Sequence, residues 1–275
     1  MSGLPTIRAL QQALSNNETS SVELVAAALD RIADPAGEGA RAFTRVYADQ
    51  AMQAAQASDT LRKAGLARSP LEGLPISVKD LFDVAGHTPT AGSVVRKDQP
   101  AATRNALVVQ RLLDAGAVLV GRTNMTEFAS SGLGINPHYG SPSSPSDRET
   151  GRISGGSSSG AGVAVADQMS VMSLGTDTGG SIRIPSAFCG ITGFKPTARR
   201  IPSDGTLPLS SSLDSSGPLA ASVECCAPVD AILAGNSRIE YRDQIVTANI
   251  NGLSVTPVQS LVFKVKNPAL PPPSN

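Results

Sequence analysis

Apolar positions in the first third of the chain alternate between helix and strand spacing. The period of residues 22–32 predicts an amphipathic helix, which the Ser-x-x-Glu capping box at residues 20–23 would begin. The alanine-rich residues 48–64 predict a second helix, which ends before a glycine. Short apolar runs at residues 43–47 and 74–79 predict strands.

Helix and strand patterns also alternate in the middle of the chain. Residues 105–115 have helical spacing and are followed by a continuous apolar run at 117–120, which is typical of a buried strand. The same succession recurs as a helix at 161–166 and a strand at 169–174, and residues 189–194 predict one more strand. This alternation predicts an α/β fold with a mixed central sheet flanked by helices.

Composition narrows the class of protein. The chain has 275 residues of which 40% are hydrophobic, enough for a substantial core. Lys plus Arg (23) balances Asp plus Glu (23), so the chain has no net charge that would attract nucleic acid. Aromatic residues make up only 3% of the chain, so few side chains could stack on the bases of a nucleic acid. Two histidines and three cysteines fit neither a zinc site nor a disulfide framework. Without a signal pattern or a long apolar run, we expect a cytoplasmic protein.

Two glycine-serine clusters, at residues 155–160 and 175–183, are the first candidates for chemistry. Their backbone amides can converge on an anion, because glycine allows positive φ and close approach. A P-loop is excluded, since the chain contains no Gly-Lys pair. Residues 156–160 match the G-x-S-x-G elbow formally, yet both histidines precede Ser158, opposite to the order of that hydrolase class. The Ser-rich composition of residues 141–160 would also suit a linker.

A serine nucleophile without histidine needs another base, and a neutral lysine is the alternative. Lys79 stands inside the apolar run of residues 74–82. A free lysine has a pKa of about 10.4, so Lys79 would act at neutral pH only if burial lowers that value by several units. The competing interpretation is a lysine that extends from a strand edge into solvent.

Five motifs, in order and at matching spacing, resemble those of the amidase signature family. They are Leu74-Pro-Ile-Ser-Val-Lys-Asp-Leu-Phe82, Gly121-Arg-Thr-Asn-Met-Thr-Glu-Phe128, Gly155-Gly-Ser-Ser-Ser-Gly160, Gly175-Thr-Asp-Thr-Gly-Gly-Ser-Ile-Arg183 and Cys189-Gly-Ile-Thr-Gly-Phe-Lys-Pro196. The resemblance covers roughly residues 5–235, so residues 1–235 are expected to form the N-terminal part of the family domain. It implies the amidase signature fold, in incomplete form.

The resemblance implies a Ser-Ser-Lys triad made of Lys79, Ser157 and Ser181. Ser181 would be the nucleophile. Ser157, which follows a cis non-proline peptide bond in the family, would pass the proton between Ser181 and Lys79. The implied reaction needs no metal and no organic cofactor.

Further site residues are implied by position. The oxyanion hole would consist of the backbone amides of Thr178, Gly179, Gly180 and Ser181. Ser158 would support the network by hydrogen bonding, and Asp177 and Arg183 resemble a charged pair with a structural role. Ala129 lies in a segment that matches a stretch lining the acyl pocket.

The implied function is hydrolysis of a linear carboxylic amide, a small molecule, to an acid and ammonia or an amine through an acyl-enzyme. Two alternatives stay open. One is the amidase-type subunit of a tRNA-dependent amidotransferase, which would bind partner subunits and RNA. The other is a catalytically silent, truncated homologue.

The chain departs from the family pattern in two places. Ser154 stands where the family usually has proline. The resemblance ends near residue 235, so about the C-terminal half of the family domain is expected to be missing, and residues 236–275 are expected to form a divergent, loosely ordered tail. An exposed sheet edge would then favour self-association.

Overall fold

A six-stranded sheet organises residues 3–235, which are the residues described by the structure, a computed structural model. The strands are β1 (Phe43–Val46), β2 (Pro75–Lys79), β3 (Val118–Thr123), β4 (Met172–Asp177), β5 (Thr192–Gly193) and β6 (Ser215–Ala220). Their order across the sheet is β1-β3-β2-β4-β6-β5. β2 runs parallel to β3 and β4, whereas β1, β5 and β6 pair antiparallel with their neighbours. The predicted mixed sheet is confirmed.

Helices flank this sheet, as predicted. They are α1 (Ile7–Ser15), α2 (Ser21–Ala33), α3 (Gly39–Ala42), α4 (Ala48–Lys63), α5 (Leu107–Asp114), α6 (Ser159–Ala166), α7 (Arg183–Cys189) and α8 (Val223–Ala234). Short 3-10 turns lie at Val94–Arg96 and Glu127–Ala129. The predicted capping box is present at the start of α2, because Ser20 and Glu23 each accept the other's backbone amide.

The sheet lies between two apolar clusters. Ile76 and Val78 of β2 belong to a cluster completed by side chains of α1, α5 and α8. Val118 and Val120 of β3 belong to a second cluster, which contains side chains of α2, α4 and α6. Successive strand residues point to opposite faces, so this central sheet buries side chains on both sides. The strand that carries Lys79 is therefore covered from both faces.

Two predicted strand positions were wrong. The strand expected at residues 169–174 begins later, at Met172, because the amides of Met169 and Ser170 still donate to Ala164 O and close the end of α6. It continues to Asp177, since β6 pairs with it along its full length. The strand expected at residues 189–194 shrinks to β5, because Cys189 ends α7 and Gly190 adopts a positive φ of 71°.

Within residues 3–235, no helix is both long enough and apolar enough to cross a membrane. The predicted tail, residues 236–275, lies outside the described residues.

Candidate active site

The sheet topology brings the lysine and the two serine loops to one edge. Lys79 is the last residue of β2 and Asp177 is the last residue of β4, and these two strands are parallel neighbours. Their carboxyl ends therefore meet at the same edge, where clefts of open α/β sheets form. Ser181 follows β4 in the turn before α7, and Ser157 precedes α6.

Lys79 is buried completely and is bound by two hydroxyl groups. Its Nζ donates to Ser157 Oγ at 2.7 Å and to Thr176 Oγ1 at 2.8 Å. Burial lowers the pKa of Lys79 to about 7, although the negative charges of Asp177 and Asp214 raise it. At neutral pH a substantial fraction of this amine is therefore unprotonated and able to accept a proton.

The loop before α6 connects Lys79 to Ser181. The peptide bond between Gly156 and Ser157 is cis, in agreement with the family resemblance. Ser157 is fully buried, and its carbonyl accepts the Thr126 amide at 3.0 Å. The next amide, that of Ser158, donates to Ser181 O at 3.3 Å, and Ser158 Oγ donates to Thr176 O at 3.4 Å. Lys79 and Ser157 are thus bonded directly, and Ser181 is joined to their loop through the backbone amide of Ser158.

Asp177 shapes the turn that carries Ser181. Its carboxylate accepts the backbone amides of Gly180 at 2.8 Å and Ile182 at 3.1 Å. Gly180 has a φ of +136°, which a residue with a Cβ rarely adopts. The Gly180 amide, one of the four predicted oxyanion donors, is therefore engaged by Asp177, whereas in the described part of the chain Gly179 N and Ser181 N have no protein acceptor.

Arg183 makes a forked ion pair with Asp177. Its Nε and Nη2 lie 3.0 Å and 2.9 Å from the two carboxylate oxygens. Burial raises the pKa of Asp177, but the hydrogen bonds from Arg183 and from the backbone amides outweigh burial, so the pKa lies below its ordinary value. Asp177 is therefore anionic at neutral pH and stays bonded to the turn.

The segment with Ala129 borders the Ser157 loop. Phe128 and Ala129 both have positive φ, 51° and 58°, and Ala129 N donates to Thr126 O at 2.9 Å. The chain then reaches Gly132, whose carbonyl accepts the Gly156 amide at 2.8 Å. Ala129 itself is buried, whereas Phe128 is partly exposed.

Three residues near the site were missed by sequence reasoning. Thr176 accepts a hydrogen bond from Lys79, and Asp214 accepts one from Thr178 in the turn before Ser181. Arg122 forms a buried ion pair, at 3.0 Å, with Asp80, which follows Lys79 in the chain. Thr176 and Arg122 fall inside the quoted motifs and could have been found as polar residues at the ends of strands. Asp214 lies outside all five motifs and becomes visible only once the β4–β6 register is known.

Both histidines lie in loops. His87 packs against the ring of Tyr47 with centroids 4.6 Å apart, and His138 Nε2 lies 3.2 Å from Glu127 Oε1. Among the described residues, no group of three or more His, Cys, Asp or Glu side chains is arranged to hold a metal ion.

The site combines a buried lysine of lowered pKa, a serine bonded to it and a second serine on a glycine-rich turn. These are the parts that a serine-dependent acyl transfer with a lysine base requires. The comparisons with known proteins identify the family of the chain. The family model "Amidase" matches residues 23–261, and the chain belongs to this family. The resemblance drawn from the five motifs is confirmed.

Relatives and solved structures agree with this assignment. The chain is 44% identical to AtzE, a 1-carboxybiuret hydrolase subunit of Pseudomonas sp. (strain ADP), over 78% of this chain and 48% of the relative. It is 41% identical to a glutamyl-tRNA(Gln) amidotransferase subunit of Thioalkalivibrio sulfidiphilus, over 90% and 51%. The native peptide amidase of Stenotrophomonas maltophilia superposes with a TM-score of 0.76 at 35% identity, covering 86% of this chain and 50% of that one. The chain thus spans about half the length of the curated relatives it matches.

Proposed function

We propose that this protein hydrolyses carboxylic amides, with Ser181 as nucleophile, Ser157 as proton relay and Lys79 as base. The observation that carries the proposal is the state of Lys79: it is fully buried, bonded to Ser157 Oγ at 2.7 Å and has its pKa lowered to about 7. A lysine with only a structural role would extend from the strand edge into solvent, and its pKa would then keep its ordinary value.

The proposed reaction proceeds in two halves. Ser181 Oγ attacks the amide carbonyl while its proton passes through the Ser157 hydroxyl to neutral Lys79 Nζ. The amides of Gly179 and Ser181 donate to the oxyanion that forms. The proton then returns through Ser157 to the leaving nitrogen, the C–N bond breaks, and an acyl-Ser181 ester remains. A water molecule hydrolyses this ester by the same proton route.

The direct test is intact-protein mass after treatment with a serine-directed fluorophosphonate. The wild-type chain is expected to gain a single adduct, and Ser181→Ala and Lys79→Ala to gain none. Ser203→Ala and Lys63→Ala, which change exposed residues outside the proposed triad, are the matched controls and should label as wild type does. A folded wild-type chain that stays unmodified would instead support the silent homologue.

A second candidate function is supported by the names of two relatives. AtzE and the amidotransferase relative are each named as a subunit. We therefore propose that this chain also associates with a partner protein. Copurification of a tagged chain from its native source, followed by a labelling assay with and without aminoacylated tRNA, separates a stand-alone amidase from an amidotransferase component.

A further inference from the structure

Two carboxylates hold the turn that carries Ser181, one from each side. Asp177 accepts the amides of Gly180 and Ile182, as described above. Asp214 binds the other end of the turn, where its Oδ1 accepts the hydroxyl of Thr178. Between Thr178 and Ile182 the turn reads Gly179-Gly180-Ser181, and the backbone of its two glycines has little intrinsic preference of its own.

The β4–β6 ladder explains how Asp214 reaches this turn. In that antiparallel pair, Asp177 lies opposite Ser215, so the next position beyond the ladder places Asp214 opposite Thr178. The second carboxylate oxygen of Asp214 accepts the amides of Leu209 at 2.9 Å and Ser210 at 3.0 Å. Asp214 is therefore fixed by its own loop before it binds Thr178.

We propose that Thr178 and Asp214 form a positioning pair that fixes the direction of the Gly179 and Ser181 amides. The inference rests on the proposed acyl-transfer function, since those amides are the donors assigned to the oxyanion. An oxyanion donor acts through its direction, and a displacement of about 1 Å can cost about a hundredfold in rate. Neither the Thr178 nor the Asp214 side chain needs to contact substrate for this effect.

Asp214 also acts on Lys79 through its charge. Burial lowers the pKa of Lys79, and the negative charges of Asp177 and Asp214 act against this lowering. Removing the Asp214 charge therefore lowers the pKa of Lys79 further. The positioning effect and the charge effect can be separated, because a change at Thr178 leaves the charge in place.

The test measures the second-order rate of fluorophosphonate labelling against pH in Thr178→Val, Thr178→Ser, Asp214→Asn and the double variant Thr178→Val with Asp214→Asn. Thr60→Val is the matched control, because it removes a threonine hydrogen bond, to Gln56 O, in the exposed part of α4. Hydrogen exchange of the amides of residues 178–181 is followed in the same proteins.

We expect Thr178→Val to label about tenfold to a hundredfold more slowly with an unchanged acid limb. Thr178→Ser should restore the rate to within about twofold, because it keeps the hydroxyl. Asp214→Asn should label more slowly and shift its acid limb to lower pH, and the double variant should lose less than the product of the two single losses. Thr60→Val should label as wild type does.

The proposal is overturned if Thr178→Val labels within about twofold of wild type, or if Thr178→Ser is as slow as Thr178→Val. If Thr178→Val does not fold, the labelling rate of Asp214→Asn and its dependence on pH test the proposal instead. An Asp214→Asn rate and pH profile equal to those of wild type would overturn the proposal. Failure of the proposed function gives a different result, since the folded wild-type chain itself would then not be labelled.

Discussion

Lys79 combines three conditions that seldom meet in one residue. It has no exposed surface, it contacts two hydroxyl groups, and its pKa is lowered to about 7 by burial. Desolvation of an ammonium group destabilises its charged form, and within residues 3–235 no carboxylate is bonded directly to Nζ to offset this. The fold therefore gives up stability at this position in order to keep a neutral amine.

This cost predicts how stability depends on pH. Between the folded pKa of about 7 and the ordinary value of 10.5, the unfolded chain binds a proton at residue 79 that the folded chain does not. The free energy of unfolding should therefore gain about 1.4 kcal/mol per pH unit from Lys79 in this window, and nothing below it. Urea unfolding of Lys79→Met at several pH values should show a slope smaller by that amount.

Lys63→Met is the control for this comparison, since Lys63 is exposed at the end of α4. Its unfolding curve should keep the wild-type slope between the same pH values. Parallel curves for Lys79→Met and wild type would mean that Lys79 is not neutral in the folded protein, and the proposed base would be lost.

The carboxyl ends of β2 and β3 are joined by a buried ion pair. Arg122 Nη1 lies 3.0 Å from Asp80 Oδ1, and each side chain is only 1% exposed. Arg122 also donates to the carbonyls of Thr88, at 2.6 Å, and Phe82. The strand end that carries Lys79 is thereby fixed to its neighbour strand.

Removing one member of this pair should leave a buried, uncompensated carboxylate. We expect Arg122→Met to lower the free energy of unfolding by about 3 to 5 kcal/mol, measured by urea denaturation at pH 7. Arg152→Met is the control, because it breaks an ion pair with Asp147 at the surface and should change stability little. Equal effects of the two substitutions would show that the Asp80 carboxylate is solvated after all.

α6 begins in close contact with backbone from two other segments. A Cβ added at Gly160 would lie 2.2 Å from Ala42 O and 2.6 Å from Asn124 N. Gly160→Ala should therefore displace the start of α6 and destabilise the protein by about 1 to 3 kcal/mol, read from thermal unfolding. At Gly37 the nearest atom would be 3.4 Å away, so Gly37→Ala should be tolerated, and a similar loss there would contradict the packing explanation.

Sequence patterns predicted the elements whose burial follows a regular period. The helix at residues 48–64 and the strand at 74–79 agree with α4 and β2 to within a residue or two. α1, α8 and β6 were not predicted. Residues 215–220 of β6 read Ser-Ser-Gly-Pro-Leu-Ala, which has no strand-like apolar period, and only pairing with β4 and β5 makes them a strand.

The candidate site likewise contains some residues that the sequence motifs identify and others that only the folded structure identifies. Lys79, Ser157 and Ser181 could be named in advance, because they lie in motifs whose order carries the family resemblance. Asp214 could not, since its contact with Thr178 depends on an antiparallel register between segments far apart in sequence. The engagement of the Gly180 amide by Asp177 is likewise a property of the folded turn and not of the motif.

On the scale of the whole molecule, the central claim is that distant segments assemble a lysine-activated serine at one sheet edge. The measurement that tests it most directly is the rate of fluorophosphonate labelling as a function of pH, in wild type and in Lys79→Ala. The claim predicts a wild-type rate that rises to half its maximum near pH 7, where Lys79 loses its proton, and no labelling in Lys79→Ala. A folded wild-type protein whose labelling does not depend on pH in this range, or persists in Lys79→Ala, would contradict it.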